Sequence, residues 1–415
     1  MNLKEVFKGV KHLVSSNLIV QLINVLTIPI LSRLYSPHYW GEYSFYLAIF
    51  LILAPLSCLS LGGAIILTDR KDEQYKISVI ASYIAIFLTF LLAISILFLK
   101  VISFQDIELN YYFILLPLLL MFHEVLLSWL TKHGNFKAIA LILAFSALIN
   151  VLVAISSKMY SQITFNGLIA GHLAMYLIQI MLFYYCVIKV DSNPFFRFYS
   201  LPVLYKTFIK YKDFPLFKTP QTFFASVSQG LPVLIFNKLG FIEASGKYGM
   251  ARKLVGMPSQ LIGKALTRVY FKELSDSINK KKKIRRSLLK SSAAIAVVTL
   301  PVFIIIIFYG SDIFSFILGK EWEKAGDYAA LLSFWLYFAL INKPATAAIA
   351  PLKLQKEFFI YELALMAFRF SSIIIPIHIY NDLNLAVMCF SLVGMFFNAF
   401  LFLFIILKVR KYECN

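Results

Sequence analysis

Arg252, Lys253 and Lys264 stand in the apolar stretch ARKLVGMPSQLIGKALTRVYF, residues 251–271. A charge at the centre of a bilayer helix costs about 2.5–3.5 kcal/mol even on the mildest insertion scale. Cations kept against that cost need an anion to meet. On a helix turning 100° per residue, Gln260, Lys264 and Thr267 fall within about 40° of Lys253, and Arg268 within about 60°. Leu254, Val255, Pro258, Leu261, Ile262, Ala265, Leu266 and Val269 take the apolar sector. The polar sector is cationic over about 16 Å and suits a water-filled cavity that attracts anions. Arg252, at its margin, and Lys253 and Arg268, near its ends, could instead extend to a headgroup layer. Extension serves Lys264 less well.

Other ionisable groups sit inside apolar runs. Glu124 follows His123 in the middle of one, and a buried carboxylate there is a candidate for proton or sodium coupling. Glu362 and Arg369 are seven residues apart and share a helix face, Glu362 as a second coupling candidate and Arg369 as a candidate anion contact. Each pair also fits a purely structural role. His172 reads as a hydrogen-bonded interior histidine, and Lys218 as a cation near one end of its run. Cys58, Cys186, Cys389 and Cys414 are scattered, without metal-ligand spacing, so neither a disulfide framework nor a metal site follows. No GxxxxGK[ST] loop occurs, and no cofactor is implied.

The elements that position these groups are membrane spans. Of 415 residues, 60% are hydrophobic and 16% aromatic, and the mean hydropathy is +0.78. Apolar runs long enough to cross about 30 Å of hydrocarbon recur along the chain. We place spans at 11–32, 43–67, 77–99, 110–131, 138–157, 165–189, 213–237, 246–268, 289–309, 327–345, 357–379 and 384–407. The first reads as a retained span rather than a signal peptide. With both termini cytoplasmic, the cytoplasmic segments carry 28 Lys and Arg, the outer loops 7 and the spans 5. That bias supports the orientation. It also accounts for much of the +19 net charge, concentrated in NKKKKIRRSLLK, without invoking nucleic acid. The longest loop, near 190–212, has aromatics and lysines suited to a helix lying in the cytoplasmic interface.

The chain also repeats. RLYSPHYWGEYS (33–44) and KLGFIEASGKYG (238–249) both read basic–Leu, six residues, Gly, charged, Tyr, small, at an offset of 205. Asn17, Gln21 and Asn24 make a polar stripe in the first span, and Thr222, Ser226 and Gln229 hold the same offset in the seventh. At that offset Lys264 corresponds to Leu59, so its charge belongs to one half. Two parallel six-span halves, 1–190 and 213–415 with an interfacial linker at 191–212, would place a substrate path between them.

ILSRLYSPHYWGEYSFYLAIF, YKDFPLFKTPQTFFASVSQGLPVLIFNKLG, SGKYGMARKLVGMPSQLIGKALTRVYFKE and LGKEWEKAGDYAALL, in this order, resemble the O-antigen flippase (Wzx) family. That family is part of the polysaccharide transporter branch of the multidrug/oligosaccharidyl-lipid/polysaccharide (MOP) exporters. The resemblance runs the length of the chain. It implies an all-α, MATE-like membrane protein of about twelve helices in two lobes, in a bacterial inner membrane. It implies transfer of an undecaprenyl-pyrophosphate-linked oligosaccharide from the cytoplasmic to the periplasmic leaflet, coupled to an H+ or Na+ gradient, without covalent chemistry. Arg33, Arg252, Lys253 and Lys264 are then the residues for the anionic headgroup, with Gln260, Lys218 and Arg369 as further contacts. A polysaccharide polymerase and a chain-length regulator are partners the resemblance admits. Alternatives are a multidrug-type cation antiporter of the same superfamily, which would place carboxylates in its cavity, and a membrane polymerase, which would want a longer outer loop.

Overall fold

Inside hydrocarbon the backbone has no water to bond, so long apolar runs satisfy their own amides as helices. The computed structural model describes residues 20–102 except 24, 112–159, 166–190, 194–259 except 196 and 258, and 284–414 except 350 and 353. Among these there is no strand. The helices are α1 (Val20–Leu34), α2 (Pro37–Ser57), α3 (Gly62–Leu67), α4 (Lys71–Ile102) and α5 (Tyr112–Lys132). They continue with α6 (Phe136–Met159), α7 (Gly167–Val190), α8 (Leu201–Lys210), α9 (Thr219–Lys238) and α10 (242–257). α11 (Arg285–Leu318), α12 (Glu323–Ile341), α13 (Lys343–Ala347), α14 (Gln355–Tyr380) and α15 (Leu383–Cys414) follow. Eight of them are long and apolar enough to cross a membrane. The chain is an all-α, multi-pass membrane protein.

The second expected span, 43–67, is not one helix. α2 ends at Ser57, and Leu59 and Ser60 take left-handed φ of 48° and 55° before α3 begins. Such a conformation costs a non-glycine residue about 1–3 kcal/mol and persists only where packing fixes it. Here Thr219 donates to Ser60 Oγ at 3.2 Å. A Cβ on Gly62 would lie 2.5 Å from Glu124 Oε1, and one on Gly63 would lie 2.6 Å from the Phe214 ring. The two glycines let α5 and the π-turn Phe214–Lys218 press against the break.

The helices form two compact units. Tyr46–Ser226 belong to the first, and Asn24–Phe45 with Val227–Asn415 to the second. Chain order and compactness therefore differ: the first motif segment, 33–44, groups with the C-terminal residues, because it packs on α10 and on the α11–α12 turn.

In the first unit, Trp129 and Tyr75 fill the space between α4 and α5, and Trp129 Nε1 donates to Ser78 Oγ at 2.9 Å. A polar chain crosses three helices: His123 Nε2 meets Gln179 Oε1 at 2.9 Å, and Gln179 Nε2 donates to Ser146 Oγ at 2.7 Å. His172 is interior, 3.2 Å from the Tyr46 hydroxyl and against Phe50 and Tyr176.

The expected interfacial helix is α8. Leu204 and Thr207 are buried against the unit, while Leu201, Tyr205 and Ile209, four residues apart, are exposed on one stripe. Its last turn is fixed by Glu73, whose carboxylate accepts from Lys210 Nζ at 2.6 and 2.7 Å and from the Tyr211 hydroxyl at 2.6 Å. That bond holds the Lys210 ammonium above the ordinary lysine range. A raised lysine pKa stabilises docking at lower pH, and the contribution is lost as pH rises through the raised value. Glu73→Gln is expected to loosen α8 without unfolding the unit. Hydrogen–deuterium exchange over 201–210 should rise severalfold while α5 stays protected; unchanged exchange in α8 would assign its docking to Leu204 and Phe208 alone.

In the second unit, α2 and α10 cross where the repeated motifs meet. A Cβ on Gly41 would overlap the Ile242 carbonyl oxygen, and one on Gly246 the Pro37 carbonyl oxygen. One on Gly249 would overlap Ser44 Oγ. Each of the pairs 37/242, 41/246 and 44/249 is separated by the repeat offset of 205. The contact is reciprocal, as a local twofold requires. Elsewhere α11 and α12 approach through Gly310 and Gly326, small residues that allow close packing in hydrocarbon. Trp322 anchors the N-terminal segment by donating to the Ser32 carbonyl at 3.1 Å, with its ring 6.0 Å from that of Trp40.

Candidate functional site

Three cations of the second unit are wholly or partly buried: Arg252 and Lys253 on α10, and Arg369 within the apolar helix α14. Arg252 and Lys253 are neighbours on α10, and helical geometry sends neighbours in different directions. Arg252 reaches α9: Nη1 donates to the Gln229 carbonyl at 2.6 Å and Nη2 to Gln229 Oε1 at 2.8 Å. Both ends of one glutamine are thus gripped by one guanidinium fork. Lys253 turns to the first half of α2, its Nζ 5.2 Å from the Trp40 ring and 5.9 Å from the Tyr43 ring. The stretch that reads as one cationic stripe therefore begins with two cations doing different jobs.

Arg369, on α14, is 2% exposed. Its guanidinium stacks on Trp335 and Phe390 at 4.1 and 4.5 Å, and Nη1 donates to Ser228 Oγ at 3.2 Å. Gly394 makes the stack fit, because a Cβ there would come within 2.6 Å of Arg369 Nη2 and of the Trp335 ring. Among the described residues, no carboxylate forms an ion pair with Arg252, Lys253 or Arg369. Glu362, about two turns earlier on α14, adds its field at a distance but no described ion pair. Moving a cation out of water costs several kcal/mol. A desolvated cation–π contact returns about 2 kcal/mol, and a hydrogen bond to a charged group about 1.5–3. The aromatic cages soften the cost without neutralising the charge.

The other expected positions fall apart from this group. Arg33 is exposed at the end of α1. Lys218 belongs to the first unit, exposed at the end of the π-turn. Glu124 is also in the first unit, against Gly62 at the α2–α3 break. Lys264 and Gln260 lie outside the described residues. Ser228, Gln229, Tyr248, Trp40, Trp335, Phe390 and Gly394 complete the second unit's cation sites. Of these only Gln229 stands out in the sequence, as part of a polar stripe in an apolar span.

The described residues hold no cluster of His, Cys, Asp and Glu suited to a metal ion. What the second unit presents is three cations that no described carboxylate pairs. Solved structures place the fold. A multidrug-resistance MATE transporter of the MOP superfamily, in its inward-facing conformation, matches with a TM-score of 0.71 at 13% identity, covering 98% of this chain and 99% of that one. A MOP-superfamily transporter from Pyrococcus furiosus, described by the reverse polarity of its binding pocket, matches at 0.63 and 12% identity, covering 98% and 96%. A MATE transporter from Vibrio cholerae matches at 0.60 and 11%, covering 98% and 96%. These likenesses show the fold: the all-α fold that those MATE and MOP-superfamily transporters share. No curated protein sequence matches the chain. The chain belongs to the polysaccharide biosynthesis protein family, whose model matches residues 30–327. The resemblance read from the motifs agrees with both.

Proposed function

We propose that this transporter flips an undecaprenyl-pyrophosphate-linked oligosaccharide, an O-antigen repeat unit, from the cytoplasmic to the periplasmic leaflet of a bacterial inner membrane. The observation that carries the reading is a polysaccharide-family chain whose second unit holds Arg252, Lys253 and Arg369 with no described carboxylate paired to any of them. A pyrophosphate–sugar headgroup cannot enter hydrocarbon unaided, and it needs cations to replace its water. Lys253 and Lys264 supply point charges for it, and Arg33 and Arg252 the guanidinium forks. Gln260 and Lys218 are lesser contacts. Alternating access presents the site to each leaflet in turn. An H+ or Na+ gradient drives the cycle, with Glu124 and Glu362 as its carboxylates. Both termini are cytoplasmic, as the basic loops require. The polymerase and chain-length regulator act on the delivered product.

The test is complementation of a flippase-deletion strain, scored by surface polysaccharide on a gel with membrane abundance measured in parallel. Lys264→Ala should abolish polysaccharide at normal abundance, and Lys264→Arg should retain part of it. Normal polysaccharide from Lys264→Ala would reduce Lys264 to an anchoring role. Failure of the wild-type chain to complement, with altered sensitivity to cationic drugs, would favour the multidrug reading.

A further inference from the structure

We propose that the second unit binds a small monovalent anion of the halide class between the Arg369 guanidinium and the Tyr248 hydroxyl, separately from any lipid-linked substrate. Buried hydrogen-bonding groups are nearly always satisfied, and each exception calls for a partner. Two exceptions occur together here. Arg369 Nε and Nη2 are buried and have no acceptor among the described residues. Tyr248 is 0% exposed, and its hydroxyl has no partner among them either. The two side chains flank one ring: Arg369 stacks on Phe390 at 4.5 Å, and the Tyr248 and Phe390 centroids are 6.4 Å apart. Tyr248 lies within the electrostatic reach of both Arg369 and Arg252.

The donors and the field have one sign. Nε–H, Nη2–H and the tyrosine O–H can all donate, and no described carboxylate pairs with either arginine. Water would satisfy geometry but not charge. Glu362 is the acid on the same helix, seven residues away, and makes no ion pair with Arg369. An anion answers both deficits. Its class follows from enclosure. Arg369 is closed in by Trp335, Phe390 and the Gly394 backbone, and a weakly hydrated monoanion loses least on entering such a place. A diphosphate carries more charge and a sugar that cannot be enclosed there.

Trp335 makes the site readable, because bromide quenches an indole it touches. The full-length protein, purified in detergent, is titrated with bromide against gluconate at constant ionic strength, following tryptophan fluorescence and melting temperature. Wild type should show a saturable quench and a saturable rise in melting temperature. The quench should vanish in Trp335→Phe, where the melting rise persists. Tyr248→Phe removes one oxygen and keeps the fold, which its melting in gluconate verifies. It should weaken bromide about tenfold, the loss of one hydrogen bond to a charged group. A linear quench shared by wild type and Tyr248→Phe would overturn the site. So would displacement of bromide by inorganic pyrophosphate, which would make this part of the headgroup path. A bromide response that appears only in Glu362→Gln would assign the place to the Glu362 carboxylate and overturn it as well.

Discussion

Gly246→Ala is expected to destabilise the protein by about 3 kcal/mol, the upper end of the ordinary cost of overpacking. The added methyl would overlap the Pro37 carbonyl oxygen and sit 2.7 Å from the Gly41 nitrogen. Both obstacles are backbone atoms, so no side-chain rotation relieves them. α2 and α10 must separate, and Lys253 then loses its seat on Trp40 and Tyr43. Gly41→Ala should behave alike, since its methyl would meet the Ile242 carbonyl in the mirror position. The double variant should cost clearly less than the two singles together, because helices already parted by one methyl have room for the second. Thermal unfolding in detergent measures all three. Additive losses would mean that the two glycines relax independently, and the reciprocal crossing would be wrong.

That crossing marks how far the sequence could be read. The repeat is plain in RLYSPHYWGEYS and KLGFIEASGKYG, because glycine, tyrosine and a basic residue recur at one offset. The pattern says that two segments are alike; it does not say that they touch each other, Gly41 against Ile242, Gly246 against Pro37 and Gly249 against Ser44. The break after α2 is harder still. LSCLSLGG is largely apolar and carries no Gly, Pro, Asn or Asp before Gly62, so it reads as the end of a span. Leu59 and Ser60 adopt left-handed φ because α5, Thr219 and Phe214 hold the segment from outside, which is tertiary information. The cages are equally remote: Trp335 and Phe390 lie 34 and 21 residues from Arg369, on other helices. Periodicity places a cation on a face, and only the neighbouring helices decide whether that face is a ring, a glutamine or an opening.

Arg252 and Lys253 turn this difference into an expected result of opposite signs. Lys253→Met keeps the aliphatic stem that packs along Trp40 and Tyr43 and removes only the ammonium. The ammonium has no described acid partner, and its cation–π contact, about 0.5–2 kcal/mol, is smaller than the several kcal/mol of desolvation. The variant should therefore melt at the wild-type temperature or above it. Transport should nevertheless fall at least about a hundredfold, because a positioned charge for a desolvated anion is worth about 3 kcal/mol or more. Arg252→Met reverses the stability effect. It strips two hydrogen bonds from Gln229 and leaves a carbonyl and an amide oxygen without their donors, each costing about 1–3 kcal/mol. That variant should melt lower and accumulate less. Melting of the purified proteins, with surface polysaccharide scored at matched abundance, separates the two roles. A Lys253→Met protein that is destabilised yet still transports would make the lysine a brace, and would leave the headgroup to cations elsewhere on the chain.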